Sequence, residues 1–481
     1  MERGAGPHRD EVADVLRLIG EEAERYLAAL DDVAVRGPDT DPAAETFDGE
    51  LPEVGIGAAK ALDELLQRQA GLIASSGPRF FGWVTGGVTP AALGGDWLAT
   101  LVDQNNADWA GAPLTSQLEA LSIRWLLDLF GLPKGWDGVL TTGATMANYV
   151  GLAAARRWWG LRHGVDVEED GLAGLPSMPV FASGYVHPSD VKVLAMLGVG
   201  RANVRRLARD AAGRFDLDAL RRELRAQDGA PAVVIASAGE VNAGDFDPID
   251  AVADLTQEHG AWLHVDGAFG LFAAASPRTR HLVDGVARAD SVIADGHKWL
   301  NVPYDCGFAF VRDHELLTPA FGIAAAYLPP PGGPRPGFAF KGPEGSRRAR
   351  SLSVWTTLRA YGRAGYREIV ERHLDLAQRL ARRVDQAPDL ERLADVPLNI
   401  VCFRYRPPGV AEDRLDDLNR RVGELVKEDG RVYFGTTVYQ GRVAFRPALV
   451  NWRTRREDVD LISDVVRELG ARLTQEDGAN A

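Results

Sequence analysis

Lysine is scarce in this chain. Lysine and arginine together number 54 in 481 residues, yet only Lys60, Lys134, Lys192, Lys298, Lys341 and Lys427 are lysines. Cysteine is scarcer, with Cys306 and Cys402 alone. Two cysteines make no disulfide framework, and no Cys/His spacing reads as a zinc site, so no metal is expected. A reducing cytoplasm fits that usage. Positive charge is also short: the formal net charge is −14, which argues against nucleic acid as the main partner. No apolar run is long enough to span a bilayer. Residues 1–7 lack the apolar centre of a secretion signal. The expectation is a cytoplasmic protein with neither a membrane nor a nucleic-acid partner.

What is present is a long, ordinary globular composition. A chain of 481 residues exceeds one hydrophobic core, so two or three domains are expected. Val12, Val15, Leu16, Leu18, Ile19, Ala23, Tyr26 and Leu27 recur near helical spacing within residues 8–35. Pro38, Asp39, Asp41 and Pro42 break that pattern, and a second helix is expected at about 57–75. Such a region either packs on a partner subunit or caps its own domain. From about 90 to 345, helical stretches such as 146–159 and 217–227 alternate with short apolar strands. The strands are expected at 138–141, 179–182, 232–238, 262–266, 291–294 and 307–311, an α/β signature. The Pro/Gly-rich stretch 329–336 reads as a mobile loop. Long helices should follow from about 350, with strands at 399–405 and 443–447 and a frayed tail at 475–481. The expected organisation is an N-terminal helical segment (1–89), a large α/β domain (90–349) and a small C-terminal domain (350–481), with no internal repeat.

Against this background the segment Asp295-Gly296-His297-Lys298-Trp299 stands out. Lys298 follows the apolar run Ser291-Val292-Ile293-Ala294 and precedes Trp299-Leu300. An amine can form an imine, a guanidinium cannot, and a partly desolvated lysine loses its proton readily. Asp266 ends the apolar run Leu263-His264-Val265. It is either a solvated loop carboxylate or, as its place at the end of an apolar strand favours, a buried one that needs a cationic partner. A lysine and an aspartate of this kind are what pyridoxal phosphate chemistry uses: the amine holds the aldehyde, and the carboxylate keeps the ring nitrogen protonated. Residues 138–148 read as a strand, a small-residue turn and a helix start, so Gly143, Ala144 and Thr145 form either a phosphate cradle or an unliganded helix start. His187, in Tyr185-Val186-His187-Pro188-Ser189, either stacks on a flat ring or caps a helix. Adjacent side chains point apart in an extended chain, which directs His297 to the phosphate rather than to the amine.

With those residues in view, the chain resembles the group II pyridoxal-phosphate-dependent decarboxylases, the family of aromatic-amino-acid, glutamate and diaminobutyrate decarboxylases. The resemblance runs from about Pro78-Arg79-Phe80-Phe81-Gly82 to Asn451-Trp452-Arg453-Thr454. Its most specific parts are His264-Val265-Asp266-Gly267-Ala268, His297-Lys298-Trp299-Leu300, Pro303-Tyr304-Asp305-Cys306 and Ser346-Arg347-Arg348-Ala349-Arg350. It implies an aspartate-aminotransferase-like (type I) α/β fold, in which 90–349 binds the cofactor and 1–89 wraps a partner in a homodimer with shared active sites. It implies Lys298, His187 and Asp266 as catalytic residues. Gly143, Ala144, Thr145 and His297 would hold phosphate, and Ala268 and His187 would cover the two ring faces. Arg446, in Ala444-Phe445-Arg446-Pro447, matches an arginine that holds the substrate carboxylate in some members; otherwise it is a strand arginine paired with an acidic neighbour.

The resemblance implies removal of the α-carboxylate of an L-amino acid with an aromatic or other medium-sized side chain. Trp83 would line an aromatic pocket or else sit in the core. Asn105 and Ala107 fall near positions that are bulkier and apolar in aromatic-amino-acid decarboxylases. Many members carry a proton-donating tyrosine on a mobile loop; here the loop spans about 329–344, and Phe338 falls near that position, with Tyr327 upstream. Two further departures are Asp295, where the family often has asparagine, and Glu240, where many members have threonine. Alternatives to amine production are an oxygen-consuming aldehyde synthase, a carbon–carbon lyase, and a non-catalytic scaffold of the same fold.

Overall fold

The computed structural model describes residues 7–322 and 335–479. Of the expected mobile loop, 329–334 lies outside the described residues, as does Tyr327.

Seven strands form the main sheet: β1 (Asp137–Thr141), β2 (Val180–Ala182), β3 (Val204–Arg206), β4 (Val233–Ser237), β5 (Trp262–Asp266), β6 (Ser291–Asp295) and β7 (Gly307–Val311). Their order is β1-β7-β6-β5-β4-β2-β3. Strands β3, β2, β4, β5 and β6 run parallel, and β7 lies antiparallel between β6 and β1. Helices cover the sheet, so β4 to β7 are buried along their whole length. That burial explains why they read as continuous apolar runs rather than alternating patterns. Register places Ser237 beside Asp266 and Asp266 beside Ile293, so β4, β5 and β6 end side by side. Ligands in open α/β sheets bind at such carboxyl ends.

A second sheet contains β8 (Leu390–Arg392), β9 (Phe403–Tyr405), β10 (Thr436–Tyr439) and β11 (Arg442–Phe445), ordered β10-β11-β9-β8 and antiparallel throughout. It has its own core around Phe403, Phe434, Phe445 and Ile462. The helix Ser351–Gln386 joins the two regions: Val354 and Leu358 belong to the main core, Leu376 and Leu380 to the second.

Most expected elements are present, within a few residues. The short strands β3, β8 and β10 were not anticipated, and residues 399–402 are not strand. The expected fraying from 475 is corrected for the described residues: the last helix runs Arg456–Ala479, and Leu469 and Leu473 within it pack on the second core. The first helix, Glu11–Ala29, buries none of its residues in the single chain, and Val12 and Leu16 stand exposed. Among the described residues no helix is long and apolar enough to cross a membrane.

Candidate active site

The end of β6 delivers Asp295, and the chain then turns sharply through Gly296–Leu300. Lys298 sits in the turn with φ −92° and ψ −106°, outside the helical region. Neighbours on several sides hold that conformation. Trp299 is fully buried and donates from Nε1 to His373 Nδ1 at 2.8 Å, while His373 Nε2 faces the Asn451 carbonyl at 2.9 Å. Asn301 Nδ2 donates to the carbonyls of Trp299 (2.8 Å) and Val450 (3.0 Å), and its Oδ1 accepts from Trp452 N at 2.9 Å. From the N-terminal side Gly86 N donates to the His297 carbonyl at 3.0 Å. A Cβ on Gly86 would lie 1.6 Å from the Lys298 carbonyl oxygen, so only glycine allows that approach. Each such buried hydrogen bond contributes about 1 kcal/mol, but orphaning one partner costs about 1–3 kcal/mol. The turn is therefore over-determined, which is the condition for keeping an uncommon backbone conformation.

Lys298 Nζ lies 3.0 Å from Asp295 Oδ2, and His297 Nε2 lies 3.4 Å from the same oxygen. The expectation that His297 and Lys298 point apart is corrected: the segment is a turn, not an extended strand, and both side chains reach one carboxylate. Burial lowers the His297 pKa, partly opposed by Asp295. Its Nδ1 accepts from Cys306 N at 3.4 Å, and its ring stacks on Tyr304 at 4.3 Å between centroids.

Asp266 is 6% exposed and ends β5. Ala268 N donates to its Oδ1 at 3.0 Å, and Asn148 Nδ2 donates to its Oδ2 at 3.2 Å. Asn148 Oδ1 faces His264 Nε2 at 3.0 Å, His264 Nδ1 faces Ser291 Oγ at 2.7 Å, and Trp262 Nε1 donates to Ser291 Oγ at 3.0 Å. An anionic Asp266 sets the direction of the whole chain. Asn148 must turn its NH2 toward the carboxylate, so its oxygen faces His264 and requires a proton on Nε2. His264 Nδ1 then accepts from Ser291. Burial supports this neutral tautomer, pushing the His264 pKa down to about 4.

Between these groups lies a cavity of about 410 Å3 that Lys298, Asp266, His187, Gly143, Trp83 and Arg446 all line. Ala144, Thr145, Ala268 and His297 line it too. Gly143 has φ +141°, and a Cβ there would lie 3.1 Å from His297 Cε1. No side chain caps the helix Ala144–Arg162 that follows, so its first-turn N–H groups face the cavity uncapped. His187 caps a helix, one of the two roles expected of it, and also lines the cavity. Its Nδ1 accepts from Ser189 N at 3.2 Å and pairs with Ser189 Oγ at 2.6 Å, capping the helix Pro188–Met196. Its ring is exposed at the cavity mouth, yet the surrounding walls desolvate it enough to lower its pKa.

Arg446 donates to the Val241 carbonyl at 3.2 Å and has no carboxylate within 4 Å among the described residues. Its pairing with an acidic neighbour is therefore not seen; Glu240 acts on it only at longer range. Glu240 instead accepts from Asn242 N at 2.8 Å and from Ala243 N, closing its own loop. Trp83 is not a core residue: it is 65% exposed, with φ +48°, and packs edge-on against Phe80 and Tyr433.

Phe338 is not brought to this cavity. It is 1% exposed; its N–H, like that of Ala339, donates to the Ala107 carbonyl, and Arg347 covers its ring. Arg347 is anchored by the buried Glu119 at 2.8 Å, which fixes the segment beside β1. Asn105 and Ala107 belong to the same anchoring, since Asn105 Oδ1 accepts from Arg347 N at 2.8 Å. Sequence reasoning assigned no role to Asn148. Asn148 had a usable signal, a polar residue on the buried face of a helix otherwise lined by Ala147, Val150, Gly151 and Ala154.

A lysine amine, a buried carboxylate and an uncapped helix start around one cavity fit pyridoxal phosphate by donor chemistry. Residues 63–406 match the family described as the pyridoxal-dependent decarboxylase conserved domain. The chain is 29% identical to an aromatic-L-amino-acid decarboxylase of Bacillus atrophaeus, covering 82% of each chain. It is 26% identical to an acidic amino acid decarboxylase of Mus musculus, covering 95% of this chain and 86% of the other. The crystal structure of an Oryza sativa decarboxylase with pyridoxal phosphate and tryptamine superposes with a TM-score of 0.88 at 25% identity, covering 97% of this chain and 99% of that one. Mouse cysteine sulfinic acid decarboxylase superposes with a TM-score of 0.86 at 27% identity, over 95% and 98%. With the type I fold, the lysine cavity and the sequence match agreeing, the chain belongs to the pyridoxal-dependent decarboxylases and is a pyridoxal-phosphate-dependent amino acid carboxy-lyase.

Proposed function

We propose that this enzyme converts an L-amino acid with an aromatic or other medium-sized side chain into its amine and CO2. Lys298 would hold the cofactor aldehyde, Asp266 its ring nitrogen, Ala268 and His187 its two faces, and Gly143, Ala144, Thr145 and His297 its phosphate. Bound pyridoxal phosphate supplies the electron sink for the bond to the α-carboxylate. The observation that carries the reading is Arg446: a largely enclosed guanidinium without a carboxylate partner, on the cavity that Lys298 also lines. A substrate carboxylate satisfies it through charge-assisted hydrogen bonds.

The remaining residues have complementary tasks. Ser189 occupies His187 Nδ1, leaving Nε2 as the nitrogen that can carry a proton at the cavity mouth. Asp295 positions the Lys298 side chain, with Oδ2 3.0 Å from Nζ. Trp83, at the rim with Phe80 and Tyr433, supports an aromatic substrate by offering a flat apolar surface. The relatives named for aromatic, acidic and cysteine sulfinic substrates make the substrate panel broad.

A second reading, aldehyde production, draws on Phe338. A phenylalanine cannot donate a proton, and this one lies outside the cavity of its own chain. One experiment separates the two: mass spectrometry of products after aerobic incubation with aromatic, acidic and basic L-amino acids. An amine from an aromatic substrate supports the proposal; an aldehyde with ammonia and peroxide supports the second reading; an amine from acidic substrates alone refutes the substrate class.

We further infer a cytoplasmic homodimer with shared active sites, in which residues 1–89 form the dimerisation segment. Exposed Val12 and Leu16 on the first helix, and Trp97, Leu98 and Leu101 on Pro90–Val102, support it as apolar surface awaiting a partner. The free, buried Cys306 and Cys402 suit a reducing compartment.

A further inference from the structure

Glu240 is 4% exposed, lines the cavity and has no part in the chemistry so far described. It follows the end of β4, in the loop Gly239-Glu240-Val241-Asn242-Ala243-Gly244-Asp245. Both of its oxygens turn back into that loop: one accepts from Asn242 N at 2.8 Å, the other from Ala243 N. The backbone closes the same circle. Glu240 N donates to the Asp245 carbonyl at 2.7 Å, and Gly244 N donates to the Glu240 carbonyl at 2.9 Å. Tyr185 fixes the far end, its hydroxyl donating to Asp245 Oδ2 at 2.7 Å. Buried polar groups matched in this way hold the loop in one conformation.

The loop so shaped reaches from the main sheet to the second one. Asn242 Oδ1 accepts from Thr437 Oγ1 on β10 at 2.6 Å, and Ala243 packs with Cys402, Tyr439 and Ala444. The Val241 carbonyl accepts from Arg446 Nη1 at 3.2 Å, the one hydrogen bond of that guanidinium among the described residues. Arg446 follows β11 and so belongs to the second sheet, yet it lines the cavity of Lys298. Its place there is set where the two regions meet, at this loop. A carboxylate free to swing toward Arg446 would pair with it; Glu240 is held by its own loop instead. We propose that Glu240 is a positioning residue: by keeping the 239–245 loop closed, it presents the Val241 carbonyl that aims Arg446 into the cavity and leaves the guanidinium free for a substrate carboxylate.

This inference rests on Arg446 as the carboxylate-binding residue of the proposed function, and the test separates the two. The pyridoxal-phosphate-loaded full chain is titrated calorimetrically with phenylpropanoate, a carboxylate that has no amine to react. Wild type is compared with Glu240→Ala, Arg446→Met and the double variant. Removing an anion beside a carboxylate site would by itself tighten binding, so weaker binding reads the loop and not the charge. Glu240→Ala should raise Kd about 10-fold, with KM following and kcat within about twofold of wild type. In the Arg446→Met background Glu240→Ala should change Kd no further, because both substitutions remove one interaction. Unchanged or tighter binding in Glu240→Ala, or an equal loss in both backgrounds, would overturn the proposal while Arg446→Met alone still weakens binding. Unchanged binding in Arg446→Met would instead refute the carboxylate role of Arg446, and the positioning role with it. Should Glu240→Ala fail to fold, Thr437→Val breaks the bond of the loop to β10 without altering charge. Binding about threefold weaker, and only where Arg446 is present, is then expected; wild-type binding overturns the proposal.

Discussion

The two ends of the cavity are built differently. At the Asp266 end every bond is supplied by the fold: Trp262, Ser291, His264 and Asn148 form one directed series that ends on a buried carboxylate. At the Gly143 end the protein leaves its polar groups under-satisfied. The helix start is uncapped, and Asp295 Oδ1 is buried without a partner among the described residues. The difference separates two kinds of work. A ring nitrogen needs a fixed charge in a rigid frame, which a fold can supply in advance. A phosphate brings its own charge and acceptors, so the protein need only present free N–H groups.

Breaking the rigid end should have the largest effect. Asp266→Asn removes the charge, and kcat/KM should fall roughly 10²- to 10³-fold, measured at saturating pyridoxal phosphate. A drop of less than about threefold would mean that the directed series serves the fold alone.

The pin behind the lysine offers a test through pH. Burial pushes the His373 pKa down to about 3 from an ordinary 6.5. The unfolded chain therefore takes up a proton near pH 6.5 while the folded chain does not. This contribution to stability is present above pH 6.5 and is lost as pH falls, on the order of 3 kcal/mol by pH 4. His373→Gln does not titrate, so its denaturant midpoint should decline less than that of the wild type between pH 6.5 and 4. Parallel decline in both would contradict the buried neutral tautomer.

The open end should show smaller, binding-type effects. Arg446→Met removes charge-assisted bonds, so KM should rise roughly 10- to 100-fold with a much smaller change in kcat, read from steady-state kinetics. The smallest effect sharpens the comparison most. Asp295→Asn removes an anion from the end where phosphate is assigned, and pyridoxal phosphate should bind about fivefold tighter, roughly 1 kcal/mol by fluorescence titration. Weaker binding would show that Asp295 serves mainly to hold the Lys298 amine.

Much of this was legible in the sequence where chemistry and a local pattern coincide. Lys298 follows a buried apolar strand, and Asp266 ends another, so both residue type and position could be read directly. The partners of Asp266 could not be read this way. Asn148 lies 118 residues away, and only the fold brings it to Asp266. The relation of His297 to Lys298 was misjudged because an extended chain was assumed where a turn exists. Strands β3 and β10 went unseen because they are short and largely solvent-facing, without the apolar run that marked β4 to β7. Position along the loop sets Phe338 near the tyrosine of other members, but it cannot show that Ala107 and Arg347 hold Phe338 in the core.

The most direct test of the central claim is reductive trapping of pyridoxal phosphate on the full chain, followed by peptide mass mapping. Only six lysines compete for it. The account predicts a single labelled peptide carrying Lys298, and no label in Lys298→Ala. Label on Lys60, Lys134, Lys192, Lys341 or Lys427 instead, or equal label in the variant, would contradict it.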